Sequence, residues 1–264
     1  MERRLVLISF RSRYSLILLV SSIICLLISS GRIVYASDKP KVAIVVDDFG
    51  YSLLQARRIA NIDLPLTWAI IPYKTHSAAI ADMARKRGIP FIVHLPMQAY
   101  SDSDNGPFLV GVNMPYTRIR QVVRNAIWSL PGSWGLNNHR GSRATSDRRV
   151  MTAVIDEVKA EGLLFLDSRT SSKSVAFDVA KSAGVPSARN RVFIDGDPDM
   201  DVMQERFAQL KSIAIRRGGA IGICHVRENT IEFLETIYKS AHSDVEFVTV
   251  PEYLENYPLG IEEE

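Results

Sequence analysis

Two adjacent carboxylates, Asp47 and Asp48, come directly after a run of five apolar residues, 42–46. Such a run is typical of a strand that is buried on both faces, and Gly50 then ends it. Because ligands bind at the carboxyl ends of strands in α/β folds, we expect one acid to hold a cation and the other to act as a base. The alternative is that both acids cap the next helix, since Asp is favoured at N-caps.

Three histidines occupy comparable places in the chain. His94 and His225 each end an apolar run, and His139 lies in the polar stretch 137–142 after a short apolar one. A single histidine in such a place is more often a hydrogen-bonded structural residue than a ligand. Three of them together with the paired acids favour a divalent transition metal. Zinc is the predicted ion, because a carboxylate and two imidazoles match a catalytic zinc-type site. Imidazole nitrogen suits zinc, iron, cobalt or nickel better than magnesium or calcium.

The segments that must position these side chains alternate between strand-like and helix-like patterns. Seven or eight such units from Lys41 onward predict an α/β fold, a single distorted (β/α) barrel-like domain over residues 37–264. In a barrel the strand ends meet on one rim, whereas the alternative is an open doubly wound sheet. The predicted strands are residues 42–46, 66–70, 89–93, 134–136, 163–166, 186–193, 219–224 and 245–248.

The first 36 residues have the features of a signal peptide. Arginines precede the apolar stretch 16–28, and residues 34–36 offer the small side chains that a signal peptidase recognises. We expect cleavage after Ala36 and export to the periplasm, or a membrane tether if the segment is not cleaved. Residues 1–36 hold five arginines and one glutamate, so their loss lowers the formal charge from +3 to −1. No nucleic-acid partner is therefore indicated.

Five segments together resemble the divergent polysaccharide deacetylases, which are distant relatives of the carbohydrate esterases that remove N-acetyl groups from chitin and peptidoglycan sugars. The resemblance extends from Lys41 to about Leu254. The segments are residues 45–50 (VVDDFG), 93–97 (VHLPM), 137–142 (NNHRGS), 166–170 (LDSRT) and 223–225 (ICH).

The resemblance implies roles for the acids and for the last histidine. In the better-known deacetylases, the first Asp of an Asp-Asp pair is the base and the second is a metal ligand. These positions correspond to Asp47 and Asp48. A histidine on a late strand acts as the acid in those enzymes, and it corresponds to His225.

The resemblance also implies where the other metal ligands lie. Two come from a His-x-x-x-His motif, and its first histidine corresponds to His94. The second position is Gln98, and glutamine is a poor ligand for a transition metal. We therefore expect His139 to be the third protein ligand.

The predicted function is metal-dependent N- or O-deacetylation of an acetylated cell-envelope polysaccharide, either peptidoglycan or an exopolysaccharide, in which water activated by the metal attacks the acetyl carbonyl. Asp167, Arg169 and Asn138 are predicted to bind substrate or to orient the ligands, although a loop ion pair accounts equally well for Asp167. No role is predicted for His76 or His242. The alternative is a catalytically silent, metal-containing domain that binds a glycan or a protein partner of the cell envelope.

Overall fold

Nine parallel strands form one sheet among the residues that the computed structural model describes, which are 39–101, 108–239 and 244–259. The predicted signal peptide and His242 lie outside these described residues. The strands are β1 (Lys41–Phe49), β2 (Leu66–Ile70), β3 (Phe91–Met97), β4 (Gly135–Arg140), β5 (Leu164–Asp167), β6 (Ser187–Arg189), β7 (Val192–Phe193), β8 (Gly219–His225) and β9 (Glu246–Val248).

The helices follow the strands in the predicted alternation. None of the described helices is both long and apolar enough to cross a bilayer. They are α1 (Leu53–Ile59), α2 (Ser77–Arg87), α3 (Tyr116–Ser129), α4 (Arg148–Ala160), α5 (Ala176–Ser182), α6 (Met200–Arg217), α7 (Glu228–Lys239) and α8 (Val250–Asn256).

The strand order is that of a barrel. Eight strands run in the order β6-β5-β4-β3-β2-β1-β8-β7, and β9 pairs with the first residues of β1. The order lacks the reversal of a doubly wound sheet, so that alternative is wrong. Residues 187–193 pair with β5 through β6 and with β8 through β7. Between the two pairings, Asn190 N donates to Asp167 O and Arg191 N donates to Ile221 O. The extended segment 187–193 thus pairs with β5 through its first residues and with β8 through its last residues. The predicted distorted barrel is confirmed.

The two faces of the sheet bury different apolar clusters. Val42, Ile44 and Val46 of β1 belong to the large cluster that includes residues of α1 to α7. Ala43 and Val45 belong to a smaller cluster that is built from strand residues and from α8, which packs into the barrel interior. Successive strand residues point to opposite faces, so membership of the two clusters shows which side chains point outward to the helices and which point into the barrel.

Candidate metal centre

The inner face of the sheet changes from apolar to polar at the carboxyl ends of the strands. On β1, Ala43 and Val45 line the interior, and Asp47 is the next inward residue. The same two-residue step leads from an apolar inner residue to His94 on β3 and to His225 on β8. On β4, Leu136 packs outward, so Asn137 and His139 lie on the inner face. Strand periodicity therefore gathers these groups on one rim.

Asp48 reaches the same place by a local irregularity. The pairing of β1 with β2 slips between Val46 and Phe49, and Asp48 has a φ of 70°, a left-handed conformation that is uncommon outside glycine. The bulge turns Asp48 towards His94, which Asp47 already faces. Its Nε2 atom lies 3.6 Å from Asp47 Oδ2 and 3.3 Å from Asp48 Oδ1.

The capping alternative for the two acids is wrong. Helix α1 is capped by Ser52, whose Oγ accepts a hydrogen bond of 3.2 Å from Gln55 N. Both carboxylates are therefore available to the rim.

Asp48, His94 and His139 form a cluster with the composition of a metal site. Their candidate ligand atoms all lie within 4.8 Å of one another. Asp48 Oδ1 and His139 Nδ1 are buried and make no hydrogen bond to any described residue. A buried polar atom without a partner costs about 1–3 kcal/mol, and a cation would remove this cost for the carboxylate oxygen. One carboxylate and two imidazoles are a donor set that fits zinc or a similar metal with open positions.

Hydrogen bonds fix which nitrogen of His94 faces the cluster. His94 Nδ1 lies 2.7 Å from Asn137 Oδ1. The amide nitrogen of Asn137 donates to Asp47 Oδ1 at 2.9 Å and to Ser168 Oγ at 3.1 Å, so its oxygen is the acceptor for His94. His94 therefore carries its proton on Nδ1. Its Nε2 lone pair is free to face Asp48 and His139.

The protonation states of two cluster members suit metal binding. Burial opposes ionisation of Asp48, but the adjacent His94, with help from His139, outweighs it and lowers the pKa of Asp48 to about 2. Burial and the neighbouring charge of His94 lower the pKa of His139 to about 3. At neutral pH Asp48 is ionised and His139 is neutral, as metal ligands must be.

The pKa of His94 is shifted in the direction opposite to that of His139. Burial opposes its protonation, but the carboxylates of Asp47 and Asp48 outweigh burial and raise the pKa of His94. A metal would therefore compete with a proton for this residue.

A second polar cluster lies one strand away from Asp47. His225 is the register partner of Asp47 on the neighbouring strand β8. Its Nδ1 lies 2.8 Å from Asp195 Oδ1, and its backbone N donates to Asp195 Oδ2 at 2.8 Å, an oxygen that also accepts from Thr230 Oγ1 at 2.7 Å. Burial lowers the pKa of His225, but this effect is outweighed by the hydrogen bond and charge of Asp195, and the net pKa is raised. The raised pKa favours the protonated form of His225, in which Nε2, the ring nitrogen that does not face Asp195, carries a proton.

Asp47 itself is almost fully buried between the two clusters. Burial raises its pKa, although His94, His225 and the amide of Asn137 act in the opposite direction. A carboxylate with a raised pKa is a stronger base than an exposed one.

Comparisons with known proteins identify a family whose match includes the strands of this rim. The family model of the divergent polysaccharide deacetylases matches residues 44–254. This chain belongs to that family. An uncharacterized protein of Haemophilus influenzae is 34% identical over 215 residues, which cover 79% of this chain and 74% of that protein. The uncharacterized protein YibQ of Escherichia coli is 28% identical over 208 residues, and the match spans 79% of this chain but only 65% of YibQ.

A solved structure shares the fold. The crystal structure of an uncharacterized protein from Agrobacterium tumefaciens C58 superposes with a TM-score of 0.77 at 21% identity, and the match covers 84% of this chain and 92% of that one. This similarity supports the barrel and carries no statement about activity.

Gln98 stands at the position where this chain departs from the His-x-x-x-His pattern of the better-known deacetylases, and its side chain makes a structural contact. Its Oε1 accepts a hydrogen bond of 3.0 Å from Val112 N, and its backbone carbonyl accepts from Arg143 N and Ala144 N. The side chain therefore fastens the loop that follows β3. His139, on the neighbouring strand, is the third group that the structure brings to Asp48 and His94.

The remaining predicted site residues make contacts within loops. Asp167 points outward, where Oδ2 accepts from Ser174 Oγ at 2.8 Å, and Oδ1 accepts from Arg169 N at 2.8 Å. Asn138 also faces away from the interior, and its Oδ1 accepts from Ser168 N at 2.9 Å. Arg169 is partly exposed in the same loop with a φ of 54°. A substrate contact by Asp167, Arg169 or Asn138 stays a prediction.

Two residues at the rim were not predicted from the sequence. Asn137 lies two positions before His139 on one strand, so the period of two residues would have placed both side chains on one face. Asp195 follows the short strand β7 and Ile194, which is the same signal of an acid after an apolar strand that Asp47 gives. The polar residues Arg189 to Arg191 obscure that signal.

Proposed function

We propose that the protein is an exported, metal-dependent hydrolase that removes acetyl groups from a cell-envelope polysaccharide. One observation carries the proposal. A buried carboxylate, Asp47, lies between a cluster suited to a metal and a histidine suited to hold a proton. Metal-assisted hydrolysis of an amide or ester needs these three functions next to one another.

Asp48, His94 and His139 would hold the metal, which supplies Lewis acidity that polarises an acyl carbonyl and makes water more acidic. Asp47 takes a proton from the attacking water. Its Oδ1 is already held by Asn137, so Oδ2, the oxygen nearer His94, is the one that receives the proton.

His225 completes the reaction as the general acid. Its Nδ1 is bound to Asp195, so the proton that it gives away is on Nε2. As the water oxygen bonds to the acetyl carbon, the bond from that carbon to the sugar nitrogen or oxygen breaks, and His225 protonates the departing atom. Acetate and a free amino or hydroxyl group are the products.

Export and substrate are parts of the same proposal. The basic, then apolar segment 1–36 supports translocation, which would place the enzyme beside peptidoglycan or an exopolysaccharide. Cell fractionation tests this part. A species that starts near Ser37 outside the cytoplasm supports cleavage, a full-length membrane-bound species supports the tether, and a cytoplasmic protein contradicts export.

Acetate release tests the activity. The mature chain, from Ser37 onward, is loaded with zinc and incubated with N-acetylated sugar oligomers and with O-acetylated polysaccharide, and the same protein treated with a chelator is the control. We expect acetate from at least one substrate class and only from the loaded protein. If the loaded protein binds a glycan but releases no acetate from any substrate, the alternative of a silent binding domain replaces this proposal.

A further inference from the structure

Asn137 connects the two functions of the rim with one side chain. It is fully buried on the inner face of β4. Its oxygen lies 2.7 Å from His94 Nδ1, and its nitrogen donates to Asp47 Oδ1 at 2.9 Å. We infer that Asn137 is a positioning residue that orients the metal ligand His94 and the base Asp47 at once, an inference that rests on the proposed function for the role of Asp47.

The amide of Asn137 satisfies both neighbours at once. His94 presents an N–H that needs an acceptor, whereas the carboxylate of Asp47 needs a donor, and an asparagine offers both from one planar group. A carboxylate in its place would still accept from His94 but would repel Asp47. An apolar side chain of the same size would leave both groups without a partner in a buried site.

The amide is also held in one orientation. Its nitrogen makes a second hydrogen bond, to Ser168 Oγ at 3.1 Å. A flipped amide would set its oxygen against the carboxylate of Asp47 and its nitrogen against the N–H of His94. The carboxylate of Asp47, which can only accept, therefore fixes the orientation of the amide and with it the direction in which His94 Nε2 and the free oxygen of Asp47 point.

The two halves of this role separate in two variants. Asn137→Asp keeps the acceptor for His94 and loses the donor for Asp47. Zinc affinity should stay within about threefold of the unmodified protein, because a carboxylate is a common partner of a metal-ligating histidine. The value of kcat for acetate release should fall by about 10- to 100-fold with little change in KM, because the base loses its orientation. Asn137→Leu removes both contacts and should also weaken zinc binding by about 10- to 100-fold.

The control is a second buried asparagine with a structural task. Asn190 is 6% exposed; its Nδ2 donates to Ser168 O and its Oδ1 accepts from Val192 N, without contact to His94 or Asp47. Asn190→Asp should leave zinc affinity and kcat within about twofold.

The measurements are zinc titration, acetate kinetics and thermal unfolding on the mature chain. Retained zinc affinity in Asn137→Asp together with weakened affinity in Asn137→Leu supports the inference, even if the unmodified protein releases no acetate and the proposed function fails. The inference is overturned if the two variants lose zinc affinity equally. It is also overturned if both variants keep the zinc affinity and the kcat of the unmodified protein. If Asn137→Leu does not fold, the nearly isosteric Asn137→Asp decides: retained zinc affinity with reduced kcat supports the inference, and lost affinity overturns it.

Discussion

The two polar clusters of the rim differ in how their buried atoms are satisfied. The first, the metal-ligand cluster, consists of Asp48, His94 and His139. Its atoms Asp48 Oδ1 and His139 Nδ1 have no hydrogen-bond partner among the described residues. In the second cluster, the acid cluster of His225, Asp195 and Thr230, both carboxylate oxygens of Asp195 accept hydrogen bonds. Protein atoms satisfy the carboxylate of the second cluster, whereas the first cluster leaves a buried carboxylate oxygen that a cation would satisfy.

The difference shows how one rim can provide two kinds of chemistry. Burial opposes ionisation of Asp48, but the neighbouring histidines outweigh it and keep Asp48 ionised, whereas burial and the charge of His94 keep His139 neutral. These are the states that metal ligands need. Burial lowers the pKa of His225, but the adjacent Asp195 outweighs burial and raises it. The protonated form of His225 is therefore favoured. Environments that push titratable groups in opposite directions separate their functions. The first cluster should therefore respond to metal and the second to pH.

The largest expected effects come from the two adjacent acids, tested side by side. Asp48→Asn replaces a carboxylate ligand with a weak neutral one, so metal and activity should both be lost. Asp47→Asn should keep the metal and lower acetate release by about 10²- to 10⁴-fold, because it removes the general base. His76→Ala, a change at the start of α2, is the control and should alter neither quantity. Metal analysis and acetate assays on the three variants decide, and equal metal loss in the two acid variants would contradict the division of roles.

A smaller effect is expected in the acid cluster, and it should appear as a shift in pH dependence. A general acid works in its protonated form, so activity should fall as pH rises through the raised pKa of His225. Asp195→Asn removes the charge that stabilises the imidazolium, which lowers this pKa and moves the alkaline limb of kcat to lower pH.

Metal content is the matched readout for Asp195→Asn, and it should stay unchanged because Asp195 does not contact the metal-ligand cluster. Activity at neutral pH should fall by about tenfold. An alkaline limb that does not move would show that His225 is not the acid, and loss of metal would show that the two clusters are not separate.

Much of this rim could be predicted from the sequence, because parallel strands bring their carboxyl ends together. The acids after β1 and the histidines at the ends of β3 and β8 follow apolar runs that are easily recognised. His139 also follows a predicted strand, and the glutamine at position 98 singles it out as the third ligand.

The remaining features depend on backbone geometry. The bulge that turns Asp48 towards His94 has no clear sequence signal, since Asp48 is a non-glycine residue with positive φ. Asp167 and Asn138 lie at strand ends but on the outward face, so a position at a strand end does not by itself show which face of the sheet a side chain occupies. Counting the period of two from apolar inner residues distinguishes such positions from Asn137.

We propose that His139 is the metal ligand that takes the place of the second histidine in the His-x-x-x-His pattern of the better-known deacetylases. Zinc titration of the purified chain from Ser37 onward, with His139→Ala and Gln98→Ala beside it, tests this directly. We predict one zinc per monomer for the unmodified protein, affinity weakened by about 100-fold or more in His139→Ala, and affinity within about threefold in Gln98→Ala. Full zinc affinity in His139→Ala, with loss of affinity in a folded Gln98→Ala, would contradict the account.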